Sequence, residues 1–476
     1  MTTVAPFQGI FFNPAKITSL EEVVTPPYDV INEQEAADFL EKNPYSMIQL
    51  DIRNNGDGGE EQKRRYQEAR DKFHQWQREG VLVRDRVPAI YLYYIDYVHP
   101  SGRRLTRKGL VALVELAEFS EGVVRPHEKT FDTVIADRLK LMDSCRAQFS
   151  KVFSIFSDPA DEVFPLLEKS REQEPICRSK DALGNIHTLW RVTDEKVLAA
   201  VSSFFRTRPV YIADGHHRYT TALNCRRRAV EKSGSLAPDN PYNFIMMYLA
   251  SMEDEGMSIL PTHRLLNYPG HVSADGLVSR LRHGMEVSEI TGGSREVLIA
   301  EVLAAMEEKG LTAVTFGLYH PGEDRCFLLR LQEEFLQQAA ALAGKAPVLQ
   351  HLDVVVLSEL IFGEYLGLDN RRIVREKRVG YYSDPDIALD VAVKKSVSEE
   401  EETPLLFLLN PTRIRQVTDV ADAGEIMPHK STYFYPKILT GMLINKLAAD
   451  ERIRRFDEQT TPRPAGRRRG IRRYAL

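Results

Sequence analysis

The chain contains few cysteines and no long apolar run, and each absence excludes a class of protein. Of its 476 residues only 4 are cysteine, and these lie far apart without a Cys-x-x-Cys pair. That spacing argues against a disulfide framework and a zinc ribbon, and it favours a reduced, cytoplasmic enzyme. No apolar run approaches the roughly 20 residues that span a bilayer, and residues 1–6 do not resemble a signal peptide. We therefore expect no association with membranes.

The common phosphate-binding signatures are also missing. The sequence has no Walker loop and no Gly-x-Gly-x-x-Gly turn that opens a helix after a strand. It has neither the His-Arg-Asp set of protein kinases nor a Gly-x-Ser-x-Gly elbow. The net charge of −5 provides no overall positive field for nucleic acid. A phosphate-handling enzyme with this sequence therefore needs another scaffold.

The composition that remains is that of an ordinary globular protein, with 43% hydrophobic and 28% charged residues. Its length suggests roughly two or three domains. Strand and helix patterns interleave, so we predict an α+β (mixed α/β) fold. We place an N-terminal mixed α/β region at 1–114, a central phosphate-binding region at 115–235 and a C-terminal mixed α/β region at 236–459. An arginine-rich tail at 460–476 is predicted to be disordered and solvated.

Apolar spacing predicts the elements around the candidate site. Apolar residues recur every three or four positions within 60–80, which predicts a helix there. Residues 209–213 are an apolar run typical of a buried strand, and 219–229 indicate a helix. Residues 261–264 are expected in a loop, and 438–447 in a last helix.

The strongest motif is Asp-Gly-His-His-Arg at 214–218, between the predicted strand and helix. Free backbone N–H groups and the helix dipole favour an anion at such a turn. Gly215 permits a left-handed bend and close approach of the backbone to a ligand. Arg218 can hold two phosphate oxygens in a fork. The alternative is a turn whose histidines are simply exposed.

The other residues of this motif have more than one interpretation. His216 and His217 could donate hydrogen bonds to a phosphate or bind a metal. No third ligand lies at a diagnostic spacing, so the phosphate interpretation is preferred. Asp214, at the end of the strand, could contact Mg²⁺ or orient a histidine.

A second motif centres on His127 and Glu128. Glu128 is the candidate general base for a hydroxyl group, with His127 beside it. Lys129 and Thr130 add groups that suit a phosphate, and Arg138 follows on the next helix. The alternative for His127 and Glu128 is a pair without a catalytic role. The alternative for Arg138 is an ordinary solvated helix face.

Three further stretches carry residues that suit a charged ligand. Residues 428–437 contain Lys430, Ser431, Thr432 and Lys437, which together with backbone donors fit a phosphate. The alternative there is a rim packed by aromatic side chains. The substrate-binding candidates lie in two other places and are Tyr28, Asp29, His263 and Arg264.

These motifs resemble a large bacterial and archaeal family described as domain of unknown function 1015. The resemblance covers most of the chain and leaves out the arginine-rich tail. The matching stretches are 25–31, 126–130, 137–141, 213–219, 260–264 and 427–437.

A narrower resemblance links residues 115–230 to free-serine kinases on the ParB/sulfiredoxin-like fold. Those proteins also carry an early His-Glu and a later Asp-Gly-His-His-Arg. The resemblance implies that Glu128 is the base for the serine hydroxyl and that 215–218 cradle the phosphates. Thr221 departs from the ParB pattern Gly-x-x-Arg-x-x-Ala, with Ala222 next. The resemblance also implies phosphorylation of L-serine to O-phospho-L-serine, with pyrophosphate as the donor.

From the residues and the resemblance we expect a small-molecule kinase that uses L-serine, Mg²⁺ and pyrophosphate, ATP or ADP. We expect small-molecule partners and no nucleic acid, and a homodimer is one open alternative. A ParB-like nucleotide-binding switch that acts on DNA through the tail is a second hypothesis. A phosphatase or nuclease on the same site is a third.

Overall fold

Two large β-sheets organise the part of the chain that the structure shows. The computed structural model describes residues 1–51, 59–310, 312–336, 338–398, 401–448 and 450–456. The tail predicted at 460–476 lies outside these ranges. Helices cover both sheets, so the predicted α+β (mixed α/β) fold is confirmed. No helix within the described ranges is long and apolar enough to cross a membrane.

The first sheet is mixed and is buried on both faces. Two short strands, Val4–Ala5 and Arg104–Arg107, add to strands in its middle. One face packs against helix Glu60–Arg78 and residues 438–444, the other against helices such as Glu195–Phe205. Its main strands follow the order Cys177–Lys180, Ile186–Val192, Ile90–Val98, Leu110–Glu115, Phe244–Ser251, Val152–Phe156, Val210–Asp214 and Val124–Arg125.

The second sheet is antiparallel and also has two buried faces. Leu265 and Leu266 belong to different hydrophobic clusters, as expected for side chains that alternate across a strand. Its strands follow the order Met285–Ile290, Arg325–Leu331, Thr315–His320, Glu402–Leu409, His263–Pro269 and Val379–Tyr382. Three two-stranded pairs complete the β structure: Ile10–Phe12 with Leu82–Arg84, Ala147–Gln148 with Asn445–Lys446, and Ser258–Leu260 with Tyr433–Tyr435.

The helices surround these sheets. The α-helices are Glu33–Lys42, Glu60–Arg78, Asp132–Cys145, Val163–Ser170, Glu195–Phe205, His216–Ser233, Ala274–Leu281, Arg295–Lys309, Glu333–Leu336, Ala340–Ala343, Pro347–Gln350, Asp353–Val355, Asn370–Arg375, Pro385–Ser398 and Ile414–Asp422. A π-helix spans Val356–Tyr365, and short 3₁₀ turns lie at Leu20–Glu22, Met47–Gln49, Phe119–Glu121 and Pro241–Asn243.

Several local predictions are confirmed because local periodicity determines them. Tyr66, Ala69, Phe73 and Trp76 are the buried residues of helix Glu60–Arg78, as their spacing indicated. The strand predicted at 209–213 is present as Val210–Asp214. The helix predicted at 219–229 is longer and begins at His216.

Two predictions are wrong because distant contacts override the local pattern. Residues 438–447 do not form a helix. There, the N–H of Thr440 donates to the carbonyl of Thr25, the N–H of Ile444 donates to that of Ile10, and Gly441 has φ of +93°. His263 and Arg264 do not lie in a loop, because they begin strand His263–Pro269 and pair with strand Val379–Tyr382.

The sheets do not follow the predicted regions one to one. The first sheet draws strands from both sides of the boundaries at 114/115 and 235/236, since Phe244–Ser251 lies inside it. The second sheet lies wholly within 236–459. The regions remain predictions as domain boundaries.

Candidate active site

A cavity of about 770 Å³ lies where the two sheets meet residues 427–437, which we call the C-terminal segment. Strand Val210–Asp214 of the first sheet ends in it, and the edge strand Val379–Tyr382 of the second sheet contributes to its wall. The residues that line it include Tyr28, Asp29, Glu128, Phe131, Asp137, Asp214, Gly215, His216, His217, Arg218, Tyr381, His429, Lys430, Thr432, Tyr433 and Lys437.

Gly215 makes the turn that opens the longest helix along this wall. It has φ of 98° and ψ of 29°, in the left-handed region, and helix His216–Ser233 begins at the next residue. A Cβ at this position would lie 3.0 Å from the guanidinium carbon of Arg218. The first N–H groups of a helix have no partner within it, and here they adjoin the cavity. The turn therefore has the geometry of an anion site.

The two histidines after the glycine each accept a backbone hydrogen bond. Nε2 of His216 accepts from the N–H of His127 at 3.2 Å, and Nε2 of His217 accepts from the N–H of Phe131 at 3.0 Å. In a neutral ring the proton must then be on Nδ1. Burial lowers the pKa of both rings, that of His216 to about 3. At neutral pH both rings are neutral, so they orient the motif and do not add positive charge.

Glu128 faces this turn from the neighbouring segment. Its Oε2 lies 3.7 Å from Nδ1 of His216. Its Oε1 accepts from Nδ1 of His429 at 2.9 Å and from the backbone N–H of Lys430 at 3.2 Å. Burial would raise the pKa of Glu128, but the His429 hydrogen bond and the His216 and His127 rings lower it to about 2. Glu128 is therefore a carboxylate at neutral pH.

His127 is buried behind Glu128 and does not line the cavity. Its Nε2 lies 3.2 Å from Oγ1 of Thr432, and its carbonyl accepts from the N–H of Met427 at 2.8 Å. Burial lowers its pKa, so the ring is neutral. These contacts join the His-Glu segment to the C-terminal segment.

Asp214 is paired with two cations. Its Oδ1 lies 3.1 Å from Nη2 of Arg218, and its Oδ2 lies 2.8 Å from Nζ of Lys437. Burial would raise the pKa of Asp214, but Lys437 and Arg218 hold it far below the usual range. Nη1 of Arg218 also donates to the carbonyl of Lys151. These contacts fix both cations at the cavity wall, where they face any bound anion.

Arg264 and Lys430 connect the second sheet to the site. Nη2 of Arg264 donates to the carbonyl of Lys430 at 2.9 Å, and its guanidinium lies 4.4 Å from the centre of the Tyr381 ring. Burial lowers the pKa of Arg264 to about 10, which leaves it charged at neutral pH. Lys430 has φ of 58°, and its side chain lines the cavity.

Tyr28 and Asp29 form another part of the wall. The guanidinium of Arg138 lies 4.1 Å from the centre of the Tyr28 ring. Arg138 is buried and paired with Asp51 at 2.9 Å and with Asp137 at 2.5 Å. Arg138 therefore packs behind Tyr28 and outside the cavity lining, so the predicted contact of Arg138 with a phosphate is not present.

Most of the predicted site residues are therefore brought together, and some are not. Ten of the predicted positions line the cavity, and the rest lie outside its lining. Lys129 is exposed and Thr130 half-buried, while Ser431 is buried with its Oγ directed to the carbonyl of Pro428. Nδ1 of His263 accepts from the N–H of Leu409 at 3.1 Å, which gives that ring a structural role. The predicted residues that line the cavity are Tyr28, Asp29, Glu128, Asp214, Gly215, His216, His217, Arg218, Lys430 and Thr432.

Sequence reasoning did not select two side chains that the site uses. His429 bonds to Glu128, and Phe131 stacks on His217 with ring centres 5.7 Å apart. Lys437 was expected in the phosphate-compatible loop, and its pairing with Asp214 was not. Nothing local to His429 indicates a carboxylate 301 residues away.

The residues do not form a metal cage of their own. Among the described residues there is no group of three or more His, Cys, Asp or Glu side chains that could hold a metal ion. Asp214, the predicted metal contact, already has both oxygens engaged. Mg²⁺ is often bound by one or two carboxylates together with substrate phosphates, and Asp29 lines the cavity with an exposed side chain.

A family model described as protein of unknown function (DUF1015) matches residues 4–355. The family resemblance indicated by the motifs is thereby confirmed, although the stretch 427–437 lies beyond the matched residues. No curated protein matches the chain.

Solved structures with a distant likeness include three proteins. A free serine kinase in complex with AMP is 12% identical, with 70% of this chain and 92% of that chain covered and a TM-score of 0.32. A conserved hypothetical protein from Pyrococcus furiosus is 14% identical, with 71% and 95% covered and a TM-score of 0.33. SbnI with a C-terminal truncation from Staphylococcus aureus is 10% identical, with 72% and 90% covered and a TM-score of 0.33. Likenesses this distant do not identify a substrate.

Proposed function

Because the chain belongs to the DUF1015 family, whose description names no activity, we propose its function from the site itself. The protein is a phosphotransferase that phosphorylates the hydroxyl of free L-serine to O-phospho-L-serine. Glu128 is the general base, and pyrophosphate, ATP or ADP is the donor. The observation that carries this proposal is the direct approach of the Glu128 carboxylate to the glycine turn in one cavity.

The turn supports binding of the donor phosphates. Phosphoryl transfer depends mainly on positioning and on neutralising charge. The N–H groups at the start of helix His216–Ser233 supply fixed donors, and Arg218, Lys430 and Lys437 supply positive charge from separate elements. Their placement around one cavity fits a group with several anionic oxygens.

Glu128 supports the acceptor side of the reaction. The serine O–H bond breaks, its proton moves to Oε2 of Glu128, and the serine oxygen bonds to phosphorus. The bond from phosphorus to the leaving oxygen breaks, and that oxygen keeps the electron pair. A carboxylate of low pKa is a weak base, but a loose transition state needs the proton removed only late. An always-ionised carboxylate that orients the hydroxyl suits this requirement.

The identity of the acceptor follows from the motif resemblance, and the size of the cavity bears on the donor. Serine follows from the motif resemblance, in which an early His-Glu precedes Asp-Gly-His-His-Arg. A cavity of about 770 Å³ accommodates pyrophosphate with serine, and also a nucleotide. Mg²⁺ is part of the proposal, because it would offset donor charge, and Asp29 is the more open carboxylate for it. We further propose a cytoplasmic enzyme that acts on small molecules.

Phosphorus NMR tests the proposal without assuming the donor. The protein is incubated with Mg²⁺ and L-serine, and pyrophosphate, ATP or ADP is added in separate tubes. A phosphoserine signal in one tube establishes the reaction and its donor together. Intact donor in every tube contradicts the proposal. Donor loss that also occurs without serine indicates a phosphohydrolase instead.

A further inference from the structure

Resting on the proposed function, we propose that His429 is a positioning residue for Glu128. It holds Oε1 of the carboxylate so that Oε2 is presented to the acceptor hydroxyl. The proposal concerns a side chain from the C-terminal segment, beyond the residues that the family model matches. It goes further than the assignment of Glu128 as the base, because it states which oxygen reacts and what keeps it in place.

The geometry separates the two oxygens of Glu128. Oε1 accepts two hydrogen bonds from consecutive residues, from Nδ1 of His429 at 2.9 Å and from the N–H of Lys430 at 3.2 Å. Lys430 has a left-handed backbone conformation, with φ of 58°. The His429 side chain and the Lys430 N–H both point at the same carboxylate oxygen. Among the described residues, the neighbour recorded for Oε2 is the more distant Nδ1 of His216, at 3.7 Å, which is beyond hydrogen-bond range. Oε2 is therefore the oxygen available to a substrate.

The His429 ring is itself held by aromatic neighbours. Its centre lies 5.3 Å from that of Phe131 and 6.4 Å from that of Tyr381, both in edge-to-face arrangements. Its side chain is still 40% exposed, so the ring lies at the mouth of the site and not in the core. Phe131 belongs to the Glu128 segment and Tyr381 to the second sheet. The ring therefore connects the C-terminal segment with the Glu128 segment and with the second sheet.

The hydrogen bond from His429 also affects the charge state of Glu128. It is the largest of the effects that lower the pKa of this carboxyl against its burial. Removal of the imidazole should therefore move that pKa upward from about 2 towards the ordinary value of 4.5. The titratable and charged groups that face Glu128 are His127, His216, His217, Arg264, His429 and Lys430.

Three variants test the proposal through the pH dependence of kcat. In His429→Ala, we expect kcat to fall about 10- to 100-fold with little change in the KM of the donor. We also expect the acid limb of the kcat profile to move to higher pH. His429→Asn restores an N–H donor near Nδ1 and should recover part of both effects. His271→Ala, an exposed histidine outside the cavity lining, is the control and should match the wild type.

A spectrum that needs no turnover separates this inference from the proposed function. In ¹H–¹⁵N spectra of histidine-labelled protein, the signals lost in His429→Ala identify that ring. They should show a proton on Nδ1 in the wild type and should shift in Glu128→Gln. An unshifted His429 signal in Glu128→Gln, or an unchanged acid limb and kcat in His429→Ala, would overturn the inference. Absence of phosphoserine formation by the wild type would instead overturn the proposed function, and the spectrum would still report the pairing.

Discussion

The glycine turn at 214–218 and the C-terminal segment at 427–437 form facing parts of one cavity but are built differently. The turn joins strand Val210–Asp214, the second strand from one end of the first sheet, to a long helix, so its N–H groups are placed by secondary structure. The C-terminal segment has only the three-residue strand Tyr433–Tyr435, and it reaches the site mainly through the side chains of His429 and Lys437, with one backbone N–H, that of Lys430. Asp214 and Lys437 join the two regions across 223 residues of chain.

This difference assigns different tasks to the two regions. Backbone donors fixed by a helix suit a phosphate whose position must not change during transfer. The side chains of the C-terminal segment pair with Glu128 and Asp214, so they set the charge state of these two carboxyl groups. The comparison predicts that damage to the turn and damage to the segment have distinguishable effects. Four substitutions test it, in order of decreasing effect.

Glu128→Gln should have the largest effect, because it removes the carboxylate on which both regions converge. We expect kcat to fall about 10²- to 10⁴-fold, the usual contribution of a general base. The substitution keeps the size of the side chain, so the protein should remain folded. Initial rates of phosphoserine formation measure the loss. Glu307→Gln, on the exposed face of helix Arg295–Lys309, is the control. Full activity in Glu128→Gln would show that the base lies elsewhere.

Gly215→Ala should weaken donor binding in addition to straining the backbone. Gly215 and Gly234 flank the same helix with φ of 98° and 78°, so alanine at either position is strained by about 1–2 kcal/mol. Only at 215 would the new Cβ also approach Arg218, at 3.0 Å, whereas at 234 it meets open space. We expect similar losses of unfolding free energy, with loss of donor affinity in Gly215→Ala alone. Equal donor KM values in the two variants would contradict this account.

Lys437→Met should weaken the connection between the two regions. It removes one of two cations from Asp214, so we expect a loss of about 2 kcal/mol in the free energy of unfolding and a higher donor KM. A depressed carboxyl pKa stabilises the fold fully above the unfolded pKa of about 4, and this stabilisation is lost as pH falls. With the pKa of Asp214 less depressed, acid unfolding should begin at higher pH. Tryptophan fluorescence during acid titration measures this, and an unchanged midpoint would contradict it.

Lys129→Ala should have the smallest effect. Lys129 follows Glu128 in sequence but is exposed and does not line the cavity. We expect kcat and donor KM to stay within about twofold of the wild type, as for most surface substitutions. Steady-state kinetics measure both constants. A donor KM raised tenfold or more would return Lys129 to the phosphate-binding group that its sequence position first suggested.

The two regions also differ in how far the sequence predicts them. Residues 209–218 were predictable, because a strand, a glycine and a helix leave a local pattern of burial and turn chemistry. The pattern after Lys437 predicts a helix, but the backbone there bonds to Thr25 and Ile10 instead. The pairing of His429 with Glu128 depends on the packing of the whole chain, so no local pattern contains it. The buried pairing of Arg138 with Asp51 was hidden for the same reason.

The most direct measurement is a crystal structure of the Glu128→Gln protein with Mg²⁺, pyrophosphate and L-serine. The account predicts phosphate oxygens on the N–H groups at the start of helix His216–Ser233, near Arg218 and Lys437. It also predicts the serine hydroxyl within hydrogen-bond distance of the side chain at position 128. Phosphate bound away from the glycine turn, or serine bound away from position 128, would contradict the claim that these two regions form one site for phosphoryl transfer.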